Sequence, residues 1–198
     1  MPVVLMTNLL WLLVIVALVV MLIWYFNNGG TGRSQSESGV RQPTVFNLQL
    51  GDIVQQAGID WVVEDKLTYD DSGWKWVEYL LQDGDRIAFL SVEDDDKLEV
   101  SLTETVKDCP VDNPPAKQIV YRQQVYNQEE SGTATLTRER KPGLSETCQY
   151  YDYAGPGEAV LSVEQWGGQT EVSVGESVRP YQLTFLPGDG RSVHREEV

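Results

Sequence analysis

Hydrophobic and polar residues divide the chain into unlike stretches, and the first is almost entirely apolar. Leu9 to Phe26 is an unbroken run of 18 apolar or aromatic residues. A helix of that length is about 27 Å long, close to the roughly 30 Å hydrocarbon core of a bilayer. Trp11 lies near one end, and Trp24 and Tyr25 near the other, where aromatic rings favour the membrane interface. The pattern predicts a transmembrane helix within residues 1–26, anchored by these three rings.

The residues around this run bear on its orientation and on the alternatives to an anchor. The first charged residue is Arg33, so the run lacks the basic n-region of a cleaved signal peptide. A signal peptide and a buried core helix remain open as alternatives. Arg33 and Arg41 both follow the run, and basic flanks favour the cytoplasmic side. We therefore expect a single-pass protein of the inner or another internal membrane, with its N-terminus outside and its soluble part in the cytoplasm.

A change in composition marks the next boundaries. Residues 27–43 are rich in Gly, Ser and Asn and have no apolar face, which predicts a flexible linker. Residues 44–187 alternate between apolar and polar positions and are expected to form one β domain. Residues 188–198 are expected to form a polar C-terminal tail.

The alternation within residues 44–187 predicts antiparallel strands separated by turns. Val45 to Gly51 opens the series. A meander follows, with strands at 61–69, 74–81, 87–92 and 98–103. The proline-containing segment 108–117 breaks the pattern. A second series follows, with strands at 118–126, 132–138, 148–153, 159–166, 170–174 and 181–185. Glycines, including Gly132 and Gly175, are expected to separate strands. The predicted fold is mostly β, a meander that is barrel-like or arranged as two sheets.

Charge and composition disfavour several classes of function. The net charge is −15, and every charged residue follows the apolar run. Such a surface disfavours nucleic acid, which is itself a polyanion. Cys109 and Cys148 can be two reduced thiols or one disulfide, and the sequence does not decide between these alternatives. His194 is the only histidine and stands in the polar tail. We therefore expect no catalytic residues, no metal centre and no cofactor, and hence no enzyme.

Two acidic segments fall in predicted turns of the meander. Asp70 and Asp71 belong to its first turn, and Glu93, Asp94, Asp95 and Asp96 to its third. Alternate turns of a meander lie at the same end of the sheet. Oxygen ligands on such loops can hold Ca²⁺ or a polyamine. Solvated turn residues are the alternative.

A single carboxylate shares a strand face with tryptophans. Residues two apart on a strand point the same way, so Trp74, Trp76, Glu78 and Leu80 share one face. If that face is the interior, Glu78 is a buried acid whose pKa is raised. Beside tryptophan rings, it would bind a cation by charge and cation–π contact. A structural ion pair, a strand-edge position and a packed core are the alternatives.

The order of these motifs resembles a known family. Gly51-Asp52-Ile53-Val54, Trp61-Val62-Val63, Leu67-Thr68-Tyr69, Trp74 to Leu81 and Phe89-Leu90-Ser91-Val92-Glu93 follow one another as in the bacterial DUF4178 family. The resemblance covers about residues 46–187. It implies a β-rich domain of unknown function, with no catalytic residues to carry over and an association with envelope stress and polyamines.

Two functions from different classes follow. The first is a membrane-tethered, non-catalytic interaction module that presents its β domain to a protein partner at the cytoplasmic face. The second is a binder of a small cationic ligand, a polyamine or Ca²⁺, at the acidic turns or at Glu78.

Overall fold

The alternating segments form strands in the computed structural model, which describes residues 41–190. Eleven strands and one short 3-10 helix, Pro180–Gln182, make up this part of the chain. The strands are β1 (Ile53–Gln56), β2 (Ile59–Asp71), β3 (Trp74–Asp83), β4 (Arg86–Asp94), β5 (Leu98–Thr105), β6 (Gln118–Tyr121), β7 (Gln124–Arg138), β8 (Ser145–Ala154), β9 (Ala159–Trp166), β10 (Gln169–Ser177) and β11 (Thr184–Leu186).

Eight of these strands close into an antiparallel ring. Strands β2 to β5 form one meander and β7 to β10 form another. The meanders join where β5 pairs with β10 and where β2 pairs with β7. Strands β1 and β11 extend the sheet beyond β2, and β6 extends it beyond β7. The mostly β prediction is therefore confirmed for residues 41–190, and of the two arrangements left open the hydrogen-bonded ring corresponds to the barrel-like one.

A β-bulge allows β2 to pair with both β1 and β7 along the same side. The register between β2 and β3 shifts between Val63 and Asp65, which leaves Glu64 as the extra residue. Before the bulge, β2 pairs with β1 on its other side. After the bulge, the same side pairs with β7, from Leu67 to Asp70. A bulge bends a strand and increases its twist, so this one turns β2 into the ring.

Three groups of buried side chains hold the domain together. One lies inside the ring, and the other two cover its outer faces. The inner group contains Leu67, Tyr69, Trp76, Phe89, Ala134, Leu136, Cys148 and Tyr150. The first outer group brings Val45, Leu48, Val54, Trp61 and Leu183 against β3, β4 and β5. The second brings Cys109, Ile119, Tyr121 and Tyr126 against β8, β9 and β10. Cys109 and Cys148 are both free thiols and belong to different groups.

Three strand predictions were wrong in detail. The strand predicted at 181–185 begins only at Thr184, because the short 3-10 helix Pro180–Gln182 precedes it. Residues 45–51 form turns, in which Val45 and Leu48 are buried against the first outer group. Residues 118–126 form two strands, because Arg122 and Gln123 turn the chain with φ of +47° and +64°. Two consecutive positive φ values belong to a tight hairpin turn, which Asn and Gly normally signal. Neither residue is present there, so the turn could not be predicted from the sequence.

The prediction that Gly132 and Gly175 separate strands was also wrong. Gly132 lies within β7 and Gly175 within β10. A Cβ atom on Gly132 would lie 2.6 Å from the Tyr150 hydroxyl, and one on Gly175 would lie 2.7 Å from Thr103 Cα. Gly175 therefore allows the backbone of β5 to approach closely, and Gly132 leaves room for the Tyr150 side chain.

A buried aspartate ties both ends of the domain together. The Arg41 guanidinium donates to both Asp52 carboxylate oxygens. The backbone amides of Gln49 and Gly188 also donate to Asp52, at 2.8 and 2.9 Å. Arg41, which the sequence places in the linker, therefore belongs to the domain. Gly188, which the sequence assigns to the tail, is likewise held by it.

The predicted transmembrane helix, with Trp11, Trp24 and Tyr25, lies outside the described residues. Within residues 41–190 there is no helix with the length and apolar character needed to cross a bilayer.

Candidate functional site

Small side chains open a cavity at one end of the barrel interior. Inward positions there are serines on four neighbouring strands: Ser91, Ser101, Ser162, Ser173 and Ser177. They leave a cavity of about 230 Å³. Because protein interiors otherwise fill such space with apolar side chains, an open volume among hydroxyl groups resembles a binding site more than a core defect.

Carboxylates dominate the wall of this cavity. Eight acidic residues line it: Glu78, Glu93, Glu99, Glu129, Glu130, Asp152, Glu164 and Glu171. No lysine, arginine or histidine of residues 41–190 lines it. Lys97 forms an ion pair with Glu99, 2.6 Å between Nζ and Oε1, but both side chains are exposed. Exposed pairs contribute little and open readily, so Lys97 leaves the deeper carboxylates without a counter-charge.

Two of the carboxylates share one tyrosine. Tyr69 is fully buried, and its hydroxyl lies 2.9 Å from Glu164 Oε2 and 3.2 Å from Glu78 Oε2. Glu164 is only 9% exposed, and the exposed surface of Glu78 borders the cavity. The strands β2, β3 and β9 therefore bring two acids and one phenol together across the barrel.

Burial and mutual repulsion oppose ionisation of these acids. Burial, followed by the charge of Asp152, raises the pKa of Glu78 to about 7. Burial and the charge of Glu78 hold the pKa of Glu164 well above its usual range. Burial raises the pKa of Asp152 to about 6, although Ser162 donates a hydrogen bond to it. The cavity therefore gains negative charge as the pH rises through the neutral range.

Aromatic rings form another part of the wall. Trp76 stacks on Tyr69, with ring centroids 4.7 Å apart and planes 4° apart. Tyr150 meets Trp76 edge-on, with ring centroids 4.9 Å apart. Trp74 lines the cavity as well and is 42% exposed. Rings beside carboxylates suit an organic cation, because the ring face attracts positive charge and the ring body contacts its carbon atoms.

The structure brings some of the predicted site residues together and leaves others apart. Trp74, Trp76, Glu78 and Glu93 all line the cavity, as the alternation on β3 indicated for the first three. Asp71 accepts a hydrogen bond from the Tyr150 hydroxyl at 3.1 Å and so supports the wall. The remaining turn residues do not line the cavity. Those residues are Asp70, which accepts a hydrogen bond from the Gly73 amide, and the exposed Asp94, Asp95 and Asp96.

The acidic turns do not form a metal site in this part of the chain. Among residues 41–190, no three His, Cys, Asp or Glu side chains are placed to hold one ion. Ca²⁺ takes six to eight oxygen ligands, and the calcium alternative stays a prediction.

Sequence reasoning missed the acids that the second meander contributes. Asp152, Glu164 and Glu171 lie on β8, β9 and β10, and each points inward. The available signal was the alternation itself: Leu161 and Val163 are buried in the second outer group, which assigns Ser162 and Glu164 to the opposite face. That this face meets Glu78 depends on ring closure, which the strand pattern does not specify.

Comparison with known proteins assigns the family. The model of the family described as "Domain of unknown function (DUF4178)" matches residues 49–180. The chain belongs to the DUF4178 family. It is similar to uncharacterized proteins of Mycobacterium tuberculosis and Mycobacterium bovis, with 32% identity over 168 residues. The aligned region covers 75% of this chain and 81% of each relative. No solved structure matches the chain significantly. In this DUF4178 protein, the matched region contains all eight strands of the ring and every residue that lines the acidic cavity.

Proposed function

We propose that this DUF4178 domain binds a small organic cation, of the polyamine class, inside its barrel. The observation that carries the proposal is the cavity itself, in which eight carboxylates and several aromatic rings surround about 230 Å³ of space. Glu99, Glu129 and Glu130 are exposed, whereas Glu164 is buried and Glu78 and Asp152 are half-buried. Uncompensated carboxylates at such depth are costly, so an arrangement of this kind is best explained by a ligand that supplies the missing charge.

The spacing of the acids favours a ligand with more than one amino group. Glu78 pairs with Ser91 across β3 and β4, and Glu93 stands two residues further along β4. Two residues of a strand span about 7 Å. The acids therefore lie at separate levels, one around Glu78 and one around Glu93 and Glu99. A flexible diamine or triamine can reach both levels, whereas a single compact ion contacts only one.

Calorimetric titration of the full-length protein with spermidine tests the proposal. The chain is studied in detergent micelles, because residues 9–26 are apolar. We expect saturable binding, weakened by salt because the attraction is electrostatic. Absence of saturable binding at millimolar spermidine would refute it.

Matched variants locate the ligand. Glu78→Gln and Glu164→Gln each remove one carboxylate from the cavity, and each should weaken spermidine binding by about tenfold or more, as expected when one member of a buried charge pair is lost. Glu146→Gln removes the same charge from an exposed position on β8 outside the cavity. It should leave the affinity unchanged. Equal losses in all three variants would indicate attraction by net charge alone.

We also propose that residues 1–26 anchor the domain in a membrane as a single-pass helix, with the domain on the cytoplasmic side. The apolar run from Leu9 to Phe26 and the basic residues after it support this proposal. The domain then acts without catalysis, and a protein partner at the membrane surface receives or supplies its ligand. Release of the full-length chain by alkaline carbonate would refute the anchor. Affinity purification from detergent-solubilised membranes should recover a stoichiometric partner, and recovery of monomer alone would contradict the partner.

A further inference from the structure

One phenol serves two carboxylates in the barrel interior. The Tyr69 hydroxyl lies within hydrogen-bond distance of both Glu78 Oε2 and Glu164 Oε2. A tyrosine hydroxyl carries a single proton and can donate it to only one of them at a time. The Ser91 hydroxyl also donates a hydrogen bond to Glu78, which lowers the pKa of that acid but brings no positive charge. The charge of the second carboxylate is therefore balanced only by a proton or a positive charge from elsewhere.

No positive group of the described chain faces this pair. The titratable groups around it are all neutral or negative. They are Tyr69 from β2, Glu93 from β4, Glu99 from β5, Glu130 from β7, Cys148, Tyr150 and Asp152 from β8, and Glu171 from β10. Two carboxylates that share a buried site do not both ionise, and the site then holds one proton between them.

The side chains around Glu78 and Glu164 shield the pair from solvent. Trp76 is 9% exposed and stacks on Tyr69, and Glu164 is as deeply buried as that ring. The Thr105 hydroxyl donates to Glu171 at 2.6 Å, which engages that neighbouring acid without adding charge. Because no described residue supplies a positive charge to Glu78 and Glu164, a proton balances the charge of this pair when the barrel is empty.

We infer that Glu78 and Glu164 share one proton when the barrel is empty, and that an ammonium group of the ligand displaces it, so that the domain exchanges a cation for a proton. This inference rests on the proposed function. In the exchange, one O–H bond is broken, the proton leaves to solvent, and one positive charge of the ligand takes its place. The charge of the pair with its occupant is unchanged, which avoids the cost of a doubly ionised empty site.

The exchange of a proton for the ligand makes the binding affinity depend on pH. The raised pKa of both acids is consistent with a proton held in the neutral range. Below neutral pH, protons compete with the ligand and the apparent affinity is low. As the pH rises through about 7, the pKa of Glu78, the proton is lost more readily and the affinity increases. Cells or compartments of lower pH would therefore favour release of the ligand.

Titration of the full-length protein with spermidine at pH 7.5, above the pKa of about 7 for Glu78, in two buffers of different ionisation enthalpy measures the exchange. The difference between the two apparent heats counts the protons released. We expect about one proton from this pair per ligand, because the pair holds one. Glu78→Gln should lose most of the release, whereas Glu146→Gln, which lies outside the cavity, should retain it. Tyr69→Phe keeps the aromatic stack but removes the donor, so it should raise the pKa of the pair and shift the release to higher pH.

The possible outcomes separate the two proposals. If spermidine does not bind saturably, the proposed function fails and this inference fails with it. If spermidine binds with equal heats in both buffers, the exchange is refuted and the proposed function stands. A ligand-free measurement adds an independent check: carboxyl-carbon NMR of glutamate-labelled protein should show a signal titrating above pH 6 that disappears in Glu78→Gln. Titration of every glutamate near its ordinary pKa would overturn the inference.

Discussion

The two ends of the barrel interior use the same strands and the same alternation but differ in chemistry. On β3, Leu80 packs into the inner apolar group, whereas Glu78, two residues away, borders the acidic cavity. On β9, Trp166 packs against the apolar group, and Glu164 again lies two residues away. One step along a strand face, about 7 Å, therefore separates a packed core from a site rich in charge.

The two ends of the barrel interior contribute differently to stability and to binding. The apolar end buries large side chains completely, and such burial is the main source of stability. The acidic end buries carboxylates without cations and replaces large side chains with serines, and both features cost stability. A protein retains such features where function requires them. We therefore expect changes at the two ends to have opposite signs.

The largest expected effect is on stability at the apolar end. Leu136 is 1% exposed and lies outside the cavity wall. Leu136→Ala should lower the free energy of unfolding by about 2–5 kcal/mol, because it leaves a cavity in a packed core. Denaturant unfolding of the full-length chain measures this loss. Spermidine affinity should be unchanged under conditions where the variant is folded, and a parallel loss of affinity would show that the two ends are not independent.

The next effect is a pH dependence that originates at the acidic end. The pKa of Glu78 is about 7 in the folded protein, against 4.5 for its ordinary value. Between these pH values the folded state binds more protons than the unfolded state, so stability falls as the pH rises through that window. The shift corresponds to a loss on the order of 3 kcal/mol.

The matching variant separates this group from the others that titrate. Glu78→Gln cannot ionise, so its stability should vary less between pH 5 and pH 8 than that of the wild type. At pH 8 the variant should be the more stable of the two. Thermal unfolding across this range measures both quantities, and identical profiles would contradict the burial of Glu78 as an acid.

A smaller effect comes from filling the cavity. Ser173 is 7% exposed and lines the cavity wall. Ser173→Val adds apolar volume to open space and should raise the free energy of unfolding by about 1 kcal/mol. It should also weaken spermidine binding. Ser131→Val makes the same change at an exposed position on β7 and should do neither. A loss of stability in Ser173→Val would indicate that the hydroxyl, more than the space, matters there.

The smallest expected effect on stability concerns the ring at the cavity rim. Trp74 is 42% exposed, so Trp74→Leu should change the free energy of unfolding by no more than about 0.5 kcal/mol. Its cation–π contact with the ligand should be lost, which predicts a severalfold weaker affinity for spermidine. Calorimetry measures the second effect. Unchanged affinity would place the ligand deeper, against Trp76.

Local signals accounted for much of the strand order. Asp70 to Gly73 predicts a turn, and Asp70 accepts a hydrogen bond from the Gly73 amide at 2.8 Å, as a turn of this kind requires. The hairpin at Arg122 and Gln123 was missed because those residues carry no turn signal. Gly132 was misread because a glycine that allows close packing within a strand looks the same in sequence as one that ends a strand.

Local sequence patterns are sufficient to predict the predominantly β character, the first meander, and the shared face of Trp74, Trp76 and Glu78, because hairpin turns and strand alternation are local properties. The pairing of β5 with β10 and of β2 with β7 is visible only in the folded domain. Those pairings join residues far apart in the chain, and no local pattern encodes them. These pairings place Glu164 beside Glu78 and Tyr69, so that acids from separate strands line one cavity.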